Sequence, residues 1–435
     1  MTSEEATAEQ SPMRRVLGNL TILLRGRGVA AILLLATTAL MARALGPVEF
    51  GLVVLIHTYA VLMRGLFNVK QFLGLIRYGV PALDSGDLKA LRRLTAVCWR
   101  IDRLACICAT VLAVGLAPLI GPYMDMQSDH VTMMSLYGLT LLATGNRTAV
   151  GILRLFDRYD LLSTKEIVGP AVRLLGIVFA WWFDSPMVVY VGIFAVAYVM
   201  EEMYLVVNGR REFKHRVGEP GECENAADAK LSEFSGLKQF LWVTYWQSNL
   251  DLIPQHGSIL LAGFILGAAE AGLLRLARQF STLLSKLAGL IRQVVFPDLT
   301  RAWNEGSSDF RLIVYRTALW AGSVGLVFVA VGHFFGETLL VLFVGSEYSA
   351  AAPILTLLLL AATFDLVAAS MRQAAYAIGY AGKVLRMYAV SAAVYIAAFI
   401  VLTQEVGLVG AGMAACLAAL LPSLSMLVLV HRRTR

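Results

Sequence analysis

Charged side chains recur in stretches of this sequence that are otherwise apolar, and their spacing decides what chemistry they could do. Arg64, Arg147, Arg173, Arg275, Arg278, Lys286 and Arg372 lie well inside hydrophobic segments, as do Asp251 and Asp365. A charge at the centre of an apolar helix costs roughly 2.5–3.5 kcal/mol on insertion scales, so each needs a water-filled cavity or a partner. At about 100° per residue, helical phase aligns these groups rather than scattering them. One segment carries Arg275, Arg278, Gln279, Thr282, Lys286 and Gln293 on a single stripe. A second aligns His57, Arg64, Asn68 and Gln71, and a third aligns Thr244, Gln247, Ser248, Asp251, Gln255 and Ser258 beside Pro254. A fourth stacks Asp365, Arg372 and Tyr376. Stripes this long read as the wall of a wet, cationic cavity. Its cations suit a phosphate or an acidic sugar. Asp251 and Asp365 are the candidate coupling carboxylates, placed to bind a proton or sodium near the midplane.

Other charges have a plainer reading. Arg25, Lys70 and Arg292 lie in the inner halves of their segments and can snorkel to headgroups. Arg100, Asp102 and Arg103 fall near a segment end and read as a local ion pair. Glu201 and Glu202 are expected close to the cytoplasm, with Arg210 as partner. No GxxxxGK[ST], GxSxG or HExxH occurs, and the five cysteines form no CxxC pair. The expectation is a chain with no catalytic residue, no metal site and no cofactor beyond a coupling ion.

The elements that must hold these stripes are membrane helices. Of 435 residues, 58% are hydrophobic and 15% charged, and the mean hydropathy is +0.69. About 12 apolar segments, each long enough for the roughly 20 residues a span needs, fill the chain. They fall at 16–44, 51–78, 96–120, 130–153, 163–183, 187–208, 239–266, 272–298, 311–333, 350–379, 384–403 and 407–430. This divides the chain into a cytoplasmic tail (1–12), a six-helix lobe (13–208), a polar linker (209–238), a second six-helix lobe (239–430) and a short tail (431–435). Leu339–Val344 is apolar but too short to cross, and is expected to dip into or pack on the outer face.

Basic residues fix the orientation. The loops at 45–50, 121–129, 184–186, 267–271, 334–349 and 404–406 hold no Lys or Arg, whereas the alternate set holds the basic residues, Arg92, Arg93, Arg210 and Arg211 among them. Both termini are therefore cytoplasmic, and the formal charge of +7 reflects loop topology rather than nucleic-acid binding. A cysteine placed at Asp125 or Ser346 is expected to react with an impermeant thiol reagent in intact cells, while one at Ser85 or Ala226 is not. The reverse labelling pattern would invert the orientation.

The chain also repeats itself. Leu45-Gly46-Pro47-Val48-Glu49-Phe50-Gly51 and Leu266-Gly267-Ala268-Ala269-Glu270-Ala271-Gly272 both read LGxxExG. Pro81-Ala82-Leu83 finds its counterpart in Pro297-Asp298-Leu299, and Arg147 in Arg372, at nearly the same spacing. Six spans per half make this a parallel repeat, related by a pseudo-two-fold along the membrane normal.

At this point the residues resemble a known family. Met41-Ala42-Arg43-Ala44-Leu45-Gly46-Pro47-Val48-Glu49-Phe50-Gly51 is similar to the A-R-x-L-G-P-x-x-F-G signature of the Wzx-type polysaccharide repeat-unit flippases, in the multidrug/oligosaccharidyl-lipid/polysaccharide exporter superfamily. Phe296-Pro297, and Gly345-Ser346-Glu347-Tyr348 leading into Ala352-Pro353-Ile354-Leu355, are also similar to that family's pattern. The resemblance implies an all-α, V-shaped bundle of two lobes around a central cavity. It implies alternating-access transfer of undecaprenyl-pyrophosphate-linked oligosaccharide across a bacterial inner membrane, for surface polysaccharide or lipopolysaccharide synthesis. The partners implied are the lipid-linked substrate, membrane lipids, glycosyltransferases and a polymerase, around a monomeric carrier. The chain has no room for the extra spans of the superfamily's lipid II flippases, and 384–403 holds no counterpart of their sodium-site carboxylate. A drug/cation antiporter of the same superfamily would want an acidic cavity. A membrane-embedded polymerase or ligase would want a large outer loop with Arg and His.

Overall fold

Apolar segments separated by turns with few polar groups leave the backbone no partner in lipid but itself, so the chain satisfies its amides within helices. The computed structural model describes residues 12–218, 231–249, 256–282, 284, 303 and 309–433, and the regular structure among them is entirely helical. In chain order the helices are α1 (Pro12–Leu66), α2 (Gln71–Asp84), α3 (Leu88–Ile120), α4 (Ser128–Gly138), α5 (Arg147–Leu155), α6 (Tyr159–Trp182) and α7 (Met187–Val217). They continue with α8 (Leu237–Asn249), α9 (Ser258–Ile265), α10 (268–282), α11 (Asp309–Phe343), α12 (Ala352–Ala377), α13 (Ala381–Val406) and α14 (Leu408–Arg433).

The outer faces of these helices carry side chains that water would reject. Leu104 and Val111 on α3, Leu175 and Trp182 on α6, and Trp320 and Phe334 on α11 all stand exposed. Apolar surface of that extent belongs against lipid. Seven helices among the described residues are long and apolar enough to cross a membrane. The chain is an all-α, multi-pass membrane protein.

The chain groups into two compact units. The first comprises Met1–Met41, Tyr59–Pro122 and Met126–Asn249. Its α2, α3, α5 and α7 pack around Leu75, Leu94, Ile152, Phe156, Phe213 and Leu241. Asp87 starts α3 by accepting from the Ala90 amide at 2.9 Å, the N-cap geometry that short acids favour. At the start of α6, Arg158 binds Asp160 at 2.9 Å and Glu212 of α7 at 2.6 Å. The guanidinium beside Asp160 holds that carboxyl below the usual range.

The second unit comprises Ala42–Thr58, Tyr123–Asp125 and Leu250–Arg435. In it α11, α12, α13 and α14 close around Phe310, Val314, Met371, Val384 and Met426. Its segment of α1 turns at Gly46, whose φ of 70° is open to glycine at no steric cost. Beyond that turn Phe50 is fully buried, edge-on to Tyr348, and the Tyr348 hydroxyl donates to the Ala42 carbonyl at 2.9 Å. The two LGxxExG turns meet here. A Cβ on Gly51 would fall 1.8 Å from the Ala268 carbonyl oxygen, and one on Gly272 would meet Phe50 and Gly51 at 2.9 and 3.2 Å.

Several expected boundaries need correcting. The segments at 51–78 and 130–153 are not continuous helices. The first breaks at 67–70, with Lys70 in the left-handed region (φ 52°). The second passes through a tight 3-10 turn at Leu139–Ala143 and breaks again at 144–146. Polar runs cause both: Asn68, Lys70 and Gln71 in one, Thr144-Gly145-Asn146-Arg147 in the other. The third segment begins at Leu88 rather than 96, and the sixth continues to Val217 rather than 208. Leu339–Val344 does not dip separately; it ends the 35-residue helix α11, which at about 1.5 Å per residue is longer than a bilayer core is thick.

Candidate functional site

The two interrupted helices bring a set of polar groups together inside the first unit. Asp102, in the middle of α3, has no exposed surface. Its Oδ2 accepts the Thr148 amide at 2.7 Å, at the start of the half-helix α5. Its Oδ1 accepts from Gln71 Nε2, at the start of the half-helix α2. Arg64, 5% exposed near the end of α1, lies 3.7 Å from the same Oδ1. The guanidinium also donates to the carbonyls of Phe67 and Thr144, each at 3.3 Å. These carbonyls lie at the two breaks, where the helix ladder leaves acceptors without a partner. One carboxylate thus holds the half-helices that begin after the breaks, and one arginine holds the backbone before them.

A second cluster lies among α6 and α7. Lys165 Nζ is 2.6 Å from Glu201 Oε1, and Arg173 is 3.7 Å from Glu201 Oε2 and stacks on the Phe194 ring at 5.0 Å. Gly169 makes room for this carboxylate, since a Cβ there would meet Glu201 Oε2 at 2.1 Å. Glu202 is buried on the neighbouring position, within electrostatic reach of Lys165, Arg147 and Arg64. Arg147 is likewise within reach of Asp102. The two clusters form one charged interior, with Arg64, Arg147, Lys165 and Arg173 facing Asp102, Glu201 and Glu202.

Two sequence expectations are overturned here. Asp102 is not part of a segment-end pair with Arg100 and Arg103, because α3 starts earlier and puts it at mid-helix. Glu201 pairs with Lys165 and Arg173 rather than Arg210, whose guanidinium lies over the Trp99 ring at 5.1 Å. Asp102, Thr148 and Lys165 lie outside the candidate set read from sequence, and Gln71 stands in it only as a wall-lining residue of its stripe. A signal for Asp102 was present: Cys98, Asp102, Cys106, Ala109, Ala113 and Ala117 fall on one buried face of α3.

The remaining candidates lie in the second unit. Arg275 and Arg278 are half-buried on α10, both within electrostatic reach of His256, and Arg278 donates to the Tyr395 hydroxyl at 3.1 Å. Arg372, half-buried on α12, sits over the Tyr388 ring at 4.6 Å, and Asp365 is half-buried on the same stripe about two turns before it. Lys286, Asp251 and Pro254 fall outside the described residues. Among the described residues no cluster of His, Cys, Asp and Glu is arranged to hold a metal.

The family described as polysaccharide biosynthesis protein matches residues 16–303. The inner membrane protein YghQ of Escherichia coli (strain K12) is 25% identical over 331 residues, covering 74% of this chain and 90% of that protein. The fold is similar to that of the lipid II flippase MurJ in an inward closed conformation, at a TM-score of 0.73 and 12% identity, over 94% of this chain and 87% of that one. It is also similar to an inward-facing multidrug resistance MATE family transporter of the MOP superfamily, at 0.69 and 14%, over 93% and 94%.

Proposed function

The chain belongs to the polysaccharide biosynthesis protein family, and on that premise we propose that it is a flippase for lipid-linked oligosaccharide. Its cargo would be undecaprenyl-pyrophosphate-linked repeat units, moved by alternating access from the cytoplasmic to the outer leaflet of a bacterial inner membrane. Glycosyltransferases would supply the cargo and a polymerase would consume it. The relative named as an inner membrane protein supports that location.

The observation that carries the reading is a set of guanidinium donors that the fold leaves unmatched. Arg147, Arg173 and Arg372 each keep a buried Nε–H with no hydrogen-bond partner among the described residues. A donor withdrawn from water without an acceptor costs about 1–3 kcal/mol. An anionic pyrophosphate, or an acidic sugar, would relieve that cost with charge-assisted bonds. A cationic drug would not, and this favours the flippase over the drug/cation antiporter. Arg64, Arg275, Arg278 and Lys286 complete the set proposed to meet the cargo, and Asp251 and Asp365 were nominated from sequence as coupling carboxylates.

Cells lacking the protein are expected to accumulate lipid-linked oligosaccharide on the cytoplasmic leaflet and to lose surface polysaccharide. Arg147→Ala and Arg173→Ala variants that reach the membrane should restore export poorly, by at least about tenfold if each lost contact is worth about 1.4 kcal/mol. Normal polysaccharide in the deletion strain, with loss of efflux of a cationic dye, would instead identify the antiporter.

A further inference from the structure

Most buried ion pairs bring a guanidinium and a carboxylate into direct, short, bidentate contact. Arg64 and Asp102 do not meet that way. The nearest approach is 3.7 Å, and two guanidinium nitrogens are committed to the Phe67 and Thr144 carbonyls instead. The groups that do bond Asp102 are a backbone amide, from Thr148, and the side-chain amide of Gln71, which is 1% exposed. A carboxamide differs from an arginine in one respect that matters here: reversed, it presents an oxygen and accepts.

We propose that Asp102 is a proton-binding site at which a proton and the anionic cargo act together, the proton taking Arg64's charge partner away and the cargo replacing it. A proton added to Oδ1 forms an O–H, which donates to Oε1 of a reversed Gln71. Thr148 N–H continues to donate to Oδ2, so both half-helices stay tied in either state. No bond is lost in the exchange. Only Asp102's share in compensating the Arg64 charge is lost, and a buried guanidinium with less compensation attracts an anion more strongly. The proton comes from solution and returns to it when the carboxylate re-forms and competes the cargo off. This rests on the flippase reading, and it adds a proton-linked carboxylate on α3 to the candidates Asp251 and Asp365.

The other charged and titratable groups around Asp102 favour one proton at this place. Arg64 on α1 and Arg147 on α5 are the basic groups that act on Asp102 electrostatically. The Cys98 and Cys106 thiols flank Asp102 on its own helix, and Cys106 lies 3.6 Å from the Thr144 hydroxyl at the break before α5. Glu202 on α7 reaches Cys106, Arg64 and Arg147 electrostatically. It is a second buried carboxyl in the same interior and serves as a control.

The test uses the purified full chain and undecaprenyl pyrophosphate as probe. Affinity should rise as pH falls, by up to about tenfold per pH unit where one proton is linked to binding. Asp102→Asn, whose amide can bond Gln71 and Thr148 as the acid would, should bind at the low-pH affinity at every pH. Glu202→Gln should keep the slope. Gln71→Met, which removes the amide that donates to the carboxylate, should move the slope to higher pH, because the charge-assisted bond lost from the ionised form outweighs the neutral bond lost from the acid, and it covers the case of an Asn variant that does not fold. A slope unchanged in both the Asp102 and Gln71 variants would overturn the proposal. If the probe binds wild type at no pH, the flippase reading fails instead. The proton site is then judged without the lipid, by a carboxylic-acid infrared band that appears on acidification. Its loss in Asp102→Asn upholds the site and its persistence removes it.

Discussion

Arg64→Ala is expected to stop transport and to lower stability by about 3–5 kcal/mol, the usual cost of removing one partner from a buried charge pair. The reason lies in what is left behind. Asp102 has no exposed surface and would be left with Gln71, Thr148 and the electrostatic reach of Arg147. The Phe67 and Thr144 carbonyls, now served by Arg64, would also lose a donor. Arg64→Lys should recover part of the stability, since a single ammonium cannot reproduce the guanidinium's planar fork. The informative variant is the double one. Arg64→Met with Asp102→Asn removes both charges, and buried pairs replaced together are often near neutral in stability. Its melting temperature should return toward wild type while polysaccharide export stays absent. Export restored by the double variant would mean that Arg64 only holds the broken helices and never meets cargo.

Gly51→Ala should be among the most damaging single-methyl changes in the second unit. The added carbon would fall 1.8 Å from the Ala268 oxygen and 2.4 Å from its carbonyl carbon. Both are backbone atoms of a turn that cannot rotate aside. Overpacking a core costs about 1–3 kcal/mol where side chains can yield, and here the chain itself must move, so about 3 kcal/mol or more is expected. Gly272→Ala meets the Phe50 ring first, at 2.9 Å, and should cost less because a ring can shift. Gly28→Ala, with nothing within 4 Å, is the control and should be silent. Thermal unfolding of the three purified variants decides the order. A Gly51→Ala protein that melts with the wild type would mean that the two turns do not interlock in the resting protein.

The difference between what could and could not be read from sequence has a physical cause. Hydropathy reports whether a segment can enter lipid, and it placed α3, α6, α7 and α11–α14 to within about three turns of their ends. It does not report continuity. A break such as Phe67–Lys70 is made by a few polar residues inside a run that still averages apolar. The stripe of His57, Arg64, Asn68 and Gln71 assumed one helix, yet α1 ends at Leu66 and α2 starts at Gln71. Arg64 and Gln71 do converge, but through the break and through Asp102. Charges were also judged by distance from a supposed segment end, and that ruler failed once α3 and α7 proved longer. The LGxxExG repeat, by contrast, was legible as a repeat, and the structure adds the reason for its last glycine in both copies: each lies where the other turn passes.

The interrupted helices also bear on how the chain is made. A segment entering lipid is judged by its own residues, and near the centre of a helix each Arg, Lys or Asp counts against entry by roughly 2.5–3.5 kcal/mol. Segments two, three and four all carry such a residue: Arg64 and Lys70, then Asp102, then Arg147. The groups that neutralise them arrive later in synthesis. Arg64 waits for Asp102, and Asp102 waits for the Thr148 amide, 46 residues further on. The cost of these charges is therefore recovered only late in synthesis, once the start of α5 exists and the three segments can close on one another.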